Sequence, residues 1–504
     1  MSSLPPNPNL EHLKKQAKRL LHDFRQQQPQ ALEKFSTLRL NAAPKLSDAQ
    51  LLIAREYGFA TWSKLKKHVQ SLPDASTEVL QQAKKAFRDD DAVAFRRLLE
   101  RFPALKAKIN EPVADFDSPL INHVRSRAML DVLLDAGADI NARSNWWAGG
   151  FGLLDHVDPD LAAYALERGA VITIHAAARL GMLEKVKELV TADAETVRSR
   201  GGDGQTPLHF ASTIEIAEYL LDCGADIEAR DVDHESTPAQ YMVRTRQEIA
   251  RYLVSRGCKT DILMASALGD INLVRKHLDA DPECIRMRVS DEYFPMVRPD
   301  AGGTIYQWEL GWYVSACQVA KSFGHPTIFD LLMERSPLEE KLLNACWLHD
   351  EVLVSSLIAR YPNLSNSLNA AGRRHVAHAA RNNNTTAARL MLAAGLPVDT
   401  FSQHHASPLH WAAWHGNAEL VRLILRRHPP LENNDNDFSG TPLGWAIHGS
   451  ENGWDRQRGD YGLTVEALLE AGASLPDKME GAEPVRAVFR QHGMKSDHST
   501  EPRD

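Results

Sequence analysis

Apolar residues near the start of the chain fall in steps of three and four. Leu10, Leu13, Ala17, Leu20, Leu21 and Phe24 line one face of a helix predicted from an N-cap at Asn9 to about Gln28. Ser47-Asp48-Ala49-Gln50 has the spacing of a capping box and opens a second helix through Leu51, Leu52 and Ile53, which stops at Gly58. Trp62, Leu65 and Val69 continue a third stripe. Lys14, Lys15, Lys18, Lys64, Lys66 and Lys67 fall on the faces opposite these stripes.

Beyond residue 79 the pattern repeats. Ser118-Pro119-Leu120, Thr206-Pro207-Leu208-His209, Ser407-Pro408-Leu409-His410 and Thr441-Pro442-Leu443 share a frame. A second signature closes each helix pair, at Asp135-Ala136-Gly137-Ala138-Asp139, Glu167-Arg168-Gly169-Ala170, Asp222-Cys223-Gly224-Ala225-Asp226, Ser255-Arg256-Gly257-Cys258 and Glu470-Ala471-Gly472-Ala473. The hydroxyl residue can cap a helix, the proline sits where no N–H is needed, and the glycine supplies a left-handed stop. Small alanines let paired helices approach, and each pair leaves one apolar face that a neighbour must cover.

These residues resemble the ankyrin repeat, a unit of about 33 residues. The run from Ser407 through Leu425 matches that repeat almost throughout, and the resemblance covers about 79 to 490. It implies an all-α fold, an ankyrin-repeat α-solenoid of about twelve helix pairs with β-turn fingers, preceded by a small helical module. Units are expected to begin near 79, 115, 145, 174, 203, 233, 262, 311, 338, 371, 404 and 437. The expected division is a basic module over 1–72, an array over 79–478 with inserts near 290–313 and 449–461, a capping helix over 479–494 and a disordered tail over 495–504. The units near 79, 262 and 338 end in Arg101-Phe102-Pro103, Ala280-Asp281-Pro282 and Arg360-Tyr361-Pro362, so their outer turns depart from the pattern.

Composition adds a charge asymmetry. The net charge of −8 over 504 residues divides into +7 for residues 1–72, which hold twelve Lys and Arg against five Asp and Glu, and −15 for the remainder. The basic module could dock nucleic acid, an acidic protein or the chain's own acidic array, or be a solvated surface. The acidic part lacks the clustered cations of a nucleic-acid footprint, which makes nucleic acid an unfavoured partner. No tract of eighteen apolar residues suggests a membrane span, and a 43% hydrophobic content excludes a mostly disordered chain. Met1 to Asn7 lacks the pattern of a signal peptide, which gives the expectation of a cytoplasmic protein. Cys223, Cys258, Cys284, Cys317 and Cys346 are widely spaced and are expected to be buried small apolar residues.

The ankyrin resemblance implies binding on a concave groove of finger tips and inner helices. The first of the two positions before the glycine stop then reads Arg179, Arg244, Trp347, Arg381, Trp414 and His448, with His415 beside them. Trp411 and Trp445 are expected in the core, and His209 and His410 in internal hydrogen bonds. Three stretches are anomalous: Ser144 to Gly152 with Trp146 and Trp147, Asp291 to Tyr313 with Tyr306, Trp308 and Trp312, and Gly449 to Tyr461 with Trp454. The second is expected to form a small β-hairpin around Ala301-Gly302-Gly303. Long inserts are functional or disordered, and aromatic content argues against disorder.

The sequence leaves two functions open. One is a scaffold that binds a protein or peptide. The other is a small-molecule- or carbohydrate-acting protein, with hydrolysis by carboxylates as its enzymatic form; its candidates are Asp155, Asp158, Glu309, Glu451, Asp455 and Asp460, with His415 and His448. The enzymatic reading is the weaker. His375, His378, His404, His405, His415 and His448 match no metal-ligand spacing, and no phosphate-binding or dinucleotide fingerprint is present, so neither metal nor cofactor is expected. Inserts that fold over the groove beside Trp146 and Trp147 would create a deep pocket and favour the second function.

Overall fold

The computed structural model describes residues 10–38, 44–71 and 77–494. The expected N-cap at Asn9, the reading of Met1 to Asn7 and the disordered tail over 495–504 lie outside the described residues. Among the described residues the fold is all α, with isolated bridges at Ala114–Ser118 and Arg288–Ser315 as its only β pairing. No described helix is long and apolar enough to cross a membrane. The chain divides into two compact units, Met1–Ile109 with Arg125–Ala138, and Asn110–Val124 with Asp139–Asp504.

The first unit contains helices Leu10–Arg25, Pro29–Ser36, Leu46–Glu56 and Trp62–Ser71 around a core of Leu13, Ala17, Phe35, Leu52, Ile53 and Leu65. The second of these was missed by the apolar stripe. Pro29 opens it at a position that needs no N–H, and Ala31 and Phe35 bury its inner face. The third starts at Leu46 because the Asp48 carboxylate accepts the Lys45 N–H at 2.7 Å, so the cap lies two residues before the expected Ser47. Lys15, Lys18, Lys64, Lys66 and Lys67 are exposed. Helices Thr77–Arg88, Ala92–Arg101 and Arg127–Asp135 belong to the same unit.

In the second unit, helix pairs run from Leu153–Asp155 with Pro159–Glu167 to Pro442–Asn452 with Tyr461–Glu470, followed by Glu483–Gln491. These are ten pairs; by sequence order Thr77–Arg88 with Ala92–Arg101 and Leu120–His123 with Arg127–Asp135 bring the described residues to twelve. Inner helices pack on inner helices, as His375–Arg381, Pro408–Trp414 and Pro442–Asn452 do. The repeated residues explain the geometry. Ser407 Oγ caps the His410 N–H, and buried His410 answers with Nδ1 at 2.7 Å from that hydroxyl and Nε2 at 2.9 Å from the Asn433 carbonyl. His209 bridges Thr206 and the Ser236 carbonyl in the same way, and burial pushes its pKa down to about 3, so the ring is neutral. Gly224 ends its helix at φ +88°, a left-handed conformation most other residues avoid. Ser118-Pro119-Leu120 departs from the pattern: it opens only a 3-10 turn, Leu120–His123. Cys258, Cys317 and Cys346 are buried as expected, whereas Cys223 and Cys284 are only partly so.

The predicted hairpin at Ala301-Gly302-Gly303 does not form. The Asp291–Tyr313 stretch instead lies across the finger of residues 231–236, which takes its backbone donors: Glu235 accepts the Val297 and Arg298 N–H groups at 2.8 Å, Asp233 accepts from Gly302, and Ser236 Oγ accepts from Ile305. Donors satisfied this way have no need of a paired strand. The stretch then forms the short helix Tyr306–Glu309, where fully buried Tyr306 donates to Asp261 at 3.0 Å. At its root, Arg288, 1% exposed, pairs with buried Glu340 at 2.7 Å.

Candidate functional site

Two clusters of aromatic and ionisable side chains form in the second unit, one around Arg381, where both inserts meet, and one on the fingers at Asp203 and residues 231–236. The larger is aromatic. Helix His375–Arg381 ends in Arg381, whose guanidinium lies over the rings of Trp312 at 4.2 Å, Trp454 at 5.5 Å and Trp411 at 5.6 Å from their centroids. Trp454 stacks on Trp411 and meets Trp414 edge-on, and Trp445 meets both Trp411 and Trp414. The surface continues through His448, beside Trp414, and through Phe438, beside Trp445 and His404. Trp411 and Trp445 are buried as expected; Trp454 is 62% exposed.

Local backbone geometry holds this insert down. Helix Pro442–Asn452 runs past its repeat boundary, and residues 453–460 then turn back across the end of Pro408–Trp414. Gly459 passes so close that an added Cβ would stand 2.3 Å from the His415 carbonyl oxygen, so only glycine fits. Tyr461 donates to the Trp414 carbonyl at 2.8 Å. Asp455 accepts from Asn383 and lies 2.9 Å from His415 Nδ1, while His415 Nε2 lies 2.9 Å from the Arg381 carbonyl. Burial pulls the His415 pKa down against these hydrogen bonds, and a neutral ring has one N–H for two acceptors. Trp312, Trp347, Arg381, Asn383, His415, Trp454 and Asp455 line a wide, open cleft of about 460 Å³. Arg381 donates from Nε to Gln403 at 2.9 Å, and among the described residues its two terminal amino groups have no hydrogen-bond partner. Burial lowers its pKa to about 10, an effect Asp291 partly offsets.

The second cluster sits on the fingers at Asp203 and residues 231–236. Trp146 donates from Nε1 to Asp203 at 2.9 Å, Arg298 lies over Trp147, and Trp308 packs on His234. Trp147 is 39% and Trp308 58% exposed. Burial first, with Asp233 and Asp231 adding repulsion, raises the Asp203 pKa to about 6 against the attraction of His234. Trp146 and Trp147 therefore belong to this cluster and do not line the cleft at Arg381. The 291–313 stretch thus contributes Trp308 to this cluster and Trp312 to the cleft at Arg381, where it meets Trp454 of the other insert.

Other candidates make contacts of their own within the second unit. Arg179 donates to the carbonyls of Leu154 and Val157 in the preceding pair. Arg244 bonds the Glu309 carbonyl and lies over Phe323. Trp347 is buried, with Nε1 donating to His375. Asp158 and Asp460 cap the helices that follow them, and Asp155 accepts the Gly152 N–H beside Arg143. Glu309 keeps one buried oxygen without a partner, and burial raises its pKa despite Arg244 and Arg246. Glu451 and His448 are exposed, and Asn452 donates to the His448 carbonyl.

Sequence reasoning overlooked Asp203, Asp233, His234, Arg298, Gln403 and the run Asn382-Asn383-Asn384. The asparagine run was a visible signal, since three consecutive amides at a helix end offer many donors and acceptors. Asp233-His234 carried none, because a polar pair in a finger reads as an ordinary turn.

A model of ankyrin repeats, in three copies, matches residues 174–264 and 316–437. The ankyrin repeat and SAM domain-containing protein 6 of Rattus norvegicus is 28% identical over 131 residues, 25% of this chain and 15% of that protein. Its counterpart in Mus musculus is 28% identical over 118 residues, 23% of this chain and 13% of that protein. The matched part is thus a small share of the length of these relatives.

Proposed function

We propose, from the premise that this chain carries ankyrin repeats, that it is a binding scaffold whose recognition surface is the aromatic cleft around Arg381, Trp312, Trp414 and Trp454. The observation that carries this reading is Arg381 itself: a guanidinium flanked by three indole rings, oriented by Gln403, with two terminal amino groups unpartnered. Arginine and tryptophan at the centre of a partly dry patch are the composition of interaction hot spots. A carboxylate meets a planar guanidinium through two parallel hydrogen bonds, so the partner is a peptide segment with an acidic residue and neighbouring apolar side chains to cover Trp454.

A hydrolase of the two-carboxylate kind would need a second acid facing Asp455. The described lining of this cleft supplies Asp455 alone, already bonded to His415 and Asn383, which favours binding over hydrolysis. The test is a selection from a displayed random peptide library against the full chain and against Arg381→Ala and Trp454→Ala. Enrichment of acidic, apolar-flanked peptides by the unaltered chain and loss of that enrichment in both variants supports the reading. The same peptides recovered from all three, or no enrichment, sinks it.

A further inference from the structure

We propose that Asp203, Asp233 and His234 form a binding site for a divalent transition-metal ion, Zn²⁺ being the cation whose ligand preferences the trio fits. One ligand atom from each of the three lies within 4.8 Å of the other two. Each residue is held by one heteroatom and, among the described residues, leaves the other without a hydrogen bond. Trp146 Nε1 donates to Asp203 Oδ1 at 2.9 Å, the Gly302 N–H donates to Asp233 Oδ1 at 3.0 Å, and His234 Nδ1 lies 2.9 Å from the Gly303 carbonyl.

A carbonyl can only accept, so Nδ1 carries a proton, and Nε2 is the ring nitrogen available to a metal. This arrangement, in which a histidine gives its far N–H to a carbonyl and carboxylates are tied by outer hydrogen bonds, is how metal ligands are oriented. Among the described residues, His234 Nε2 has no hydrogen bond; its nearest charged neighbour is Asp233 Oδ2, 3.7 Å away. His234 is 9% exposed, Asp233 7% and Asp203 partly buried, so the trio is sheltered although none of its unpaired atoms is fully enclosed.

Asp231 shows what a purely structural acid looks like in the same finger. Its Oδ1 accepts from Ser236, and its Oδ2 accepts from the His234 N–H and the Tyr241 hydroxyl, which leaves neither oxygen free. Asp203 and Asp233 do not share that saturation.

The site also has a builder. Gly302 and Gly303 reach Asp233 and His234 from 69 residues along the chain, and Trp146 reaches Asp203 from 57. Two anomalous segments of the sequence thus converge to orient one trio. Imidazole with two carboxylates suits zinc and its transition-metal neighbours better than calcium or magnesium, which take oxygen ligands in larger number. Zinc bonds near 2 Å bring tetrahedral ligand atoms to about 3.3 Å of one another, so loading draws the trio inward by rotation of the carboxylates.

The test uses the full chain after chelator treatment, titrated with ZnCl₂ by calorimetry while tryptophan emission is followed, because Trp146 and Trp308 adjoin the ligands. One saturable equivalent with a Kd of about 10 μM or tighter is expected, with a coincident emission change that chelator reverses. The double variant Asp233→Asn, His234→Gln should lose that equivalent and the emission change. Should its far-ultraviolet circular dichroism show misfolding, Asp203→Asn serves instead: its amide oxygen can still accept from Trp146, and binding should weaken at least about tenfold. An undiminished stoichiometry in a folded variant, or no saturable site up to ~100 μM, overturns the proposal. Displacement of Zn²⁺ by a modest excess of Ca²⁺ overturns the choice of cation.

Discussion

The insert from Asp291 to Tyr313 is tied down chiefly through its backbone, whereas the one from Gly449 to Tyr461 pairs a close backbone approach with stacked rings. In the first, the N–H groups of Val297, Arg298, Gly302 and Ile305 all donate to side chains of one finger, and Tyr306 is sunk into the core. In the second, Gly459 presses against the His415 carbonyl while Trp454 lies across Trp411 with most of its area in solvent. Hydrogen bonds from main chain to carboxylate fix a segment and consume its recognition capacity. Exposed indoles leave that capacity unused.

The widest separation between the two should appear on truncation of their rings. Tyr306→Ala removes a fully buried ring together with its bond to Asp261 and should cost roughly 3–5 kcal/mol in urea unfolding. Trp454→Ala should cost under about 1 kcal/mol, since most of that ring is already wet. Equal losses would erase the distinction.

Acid should not separate the regions, because both rest on buried neutral histidines. His209, with its pKa near 3, and His410, also lowered by burial, stay uncharged in the fold but take up a proton once unfolded. The unfolded chain therefore binds more protons as pH falls below about 6.5, and each such group should contribute a loss of up to ~1.4 kcal/mol per pH unit. For His209 that loss should stop growing near pH 3. A stability profile flat between pH 7 and 4 would contradict the neutral assignment.

The smallest effect concerns the anchor itself. Glu235→Gln removes the charge and keeps an acceptor for only one of the Val297 and Arg298 N–H groups, setting an amide NH2 against the other at an exposed site, and should cost about 1 kcal/mol, with faster amide exchange confined to residues near 297 and 298. Faster exchange at Trp454 as well would mean that the inserts are coupled.

The repeat was legible because its determinants are local: hydroxyl, proline and histidine within four residues at one end of each helix, glycine at the other. The count of helix pairs and the buried roles of Trp411, Trp445, His209 and His410 followed from that. The path of the inserts did not. Ala301-Gly302-Gly303 has the composition of a turn, but what decides its conformation is Asp233, 69 residues away, and no local pattern encodes such a partner. The contacts of the row before the glycine stop were illegible for a similar reason. Arg179 and Arg244 found backbone carbonyls of other segments within reach, and a long side chain takes such acceptors before it faces solvent. Among the described residues Arg244 and Arg381 both keep terminal amino groups without a hydrogen-bond partner, and what sets Arg381 apart is that Trp312 and Trp454 flank its guanidinium.

In a plain array each repeat touches only its neighbours, so unfolding can spread from either end one unit at a time. Here Gly302, which precedes the helix pair beginning at Ala316, is bonded to Asp233 ahead of the pair beginning at Pro238, passing over the pair Ile262–Leu268 with Ile271–Ala280. Asp455 likewise bonds Asn383, passing over the pair that begins at Pro408. Each span works like a strap across three beads on a string. The middle bead cannot melt without loosening both of its neighbours, and a chain that would otherwise fray by single units gains multi-repeat blocks that open all at once.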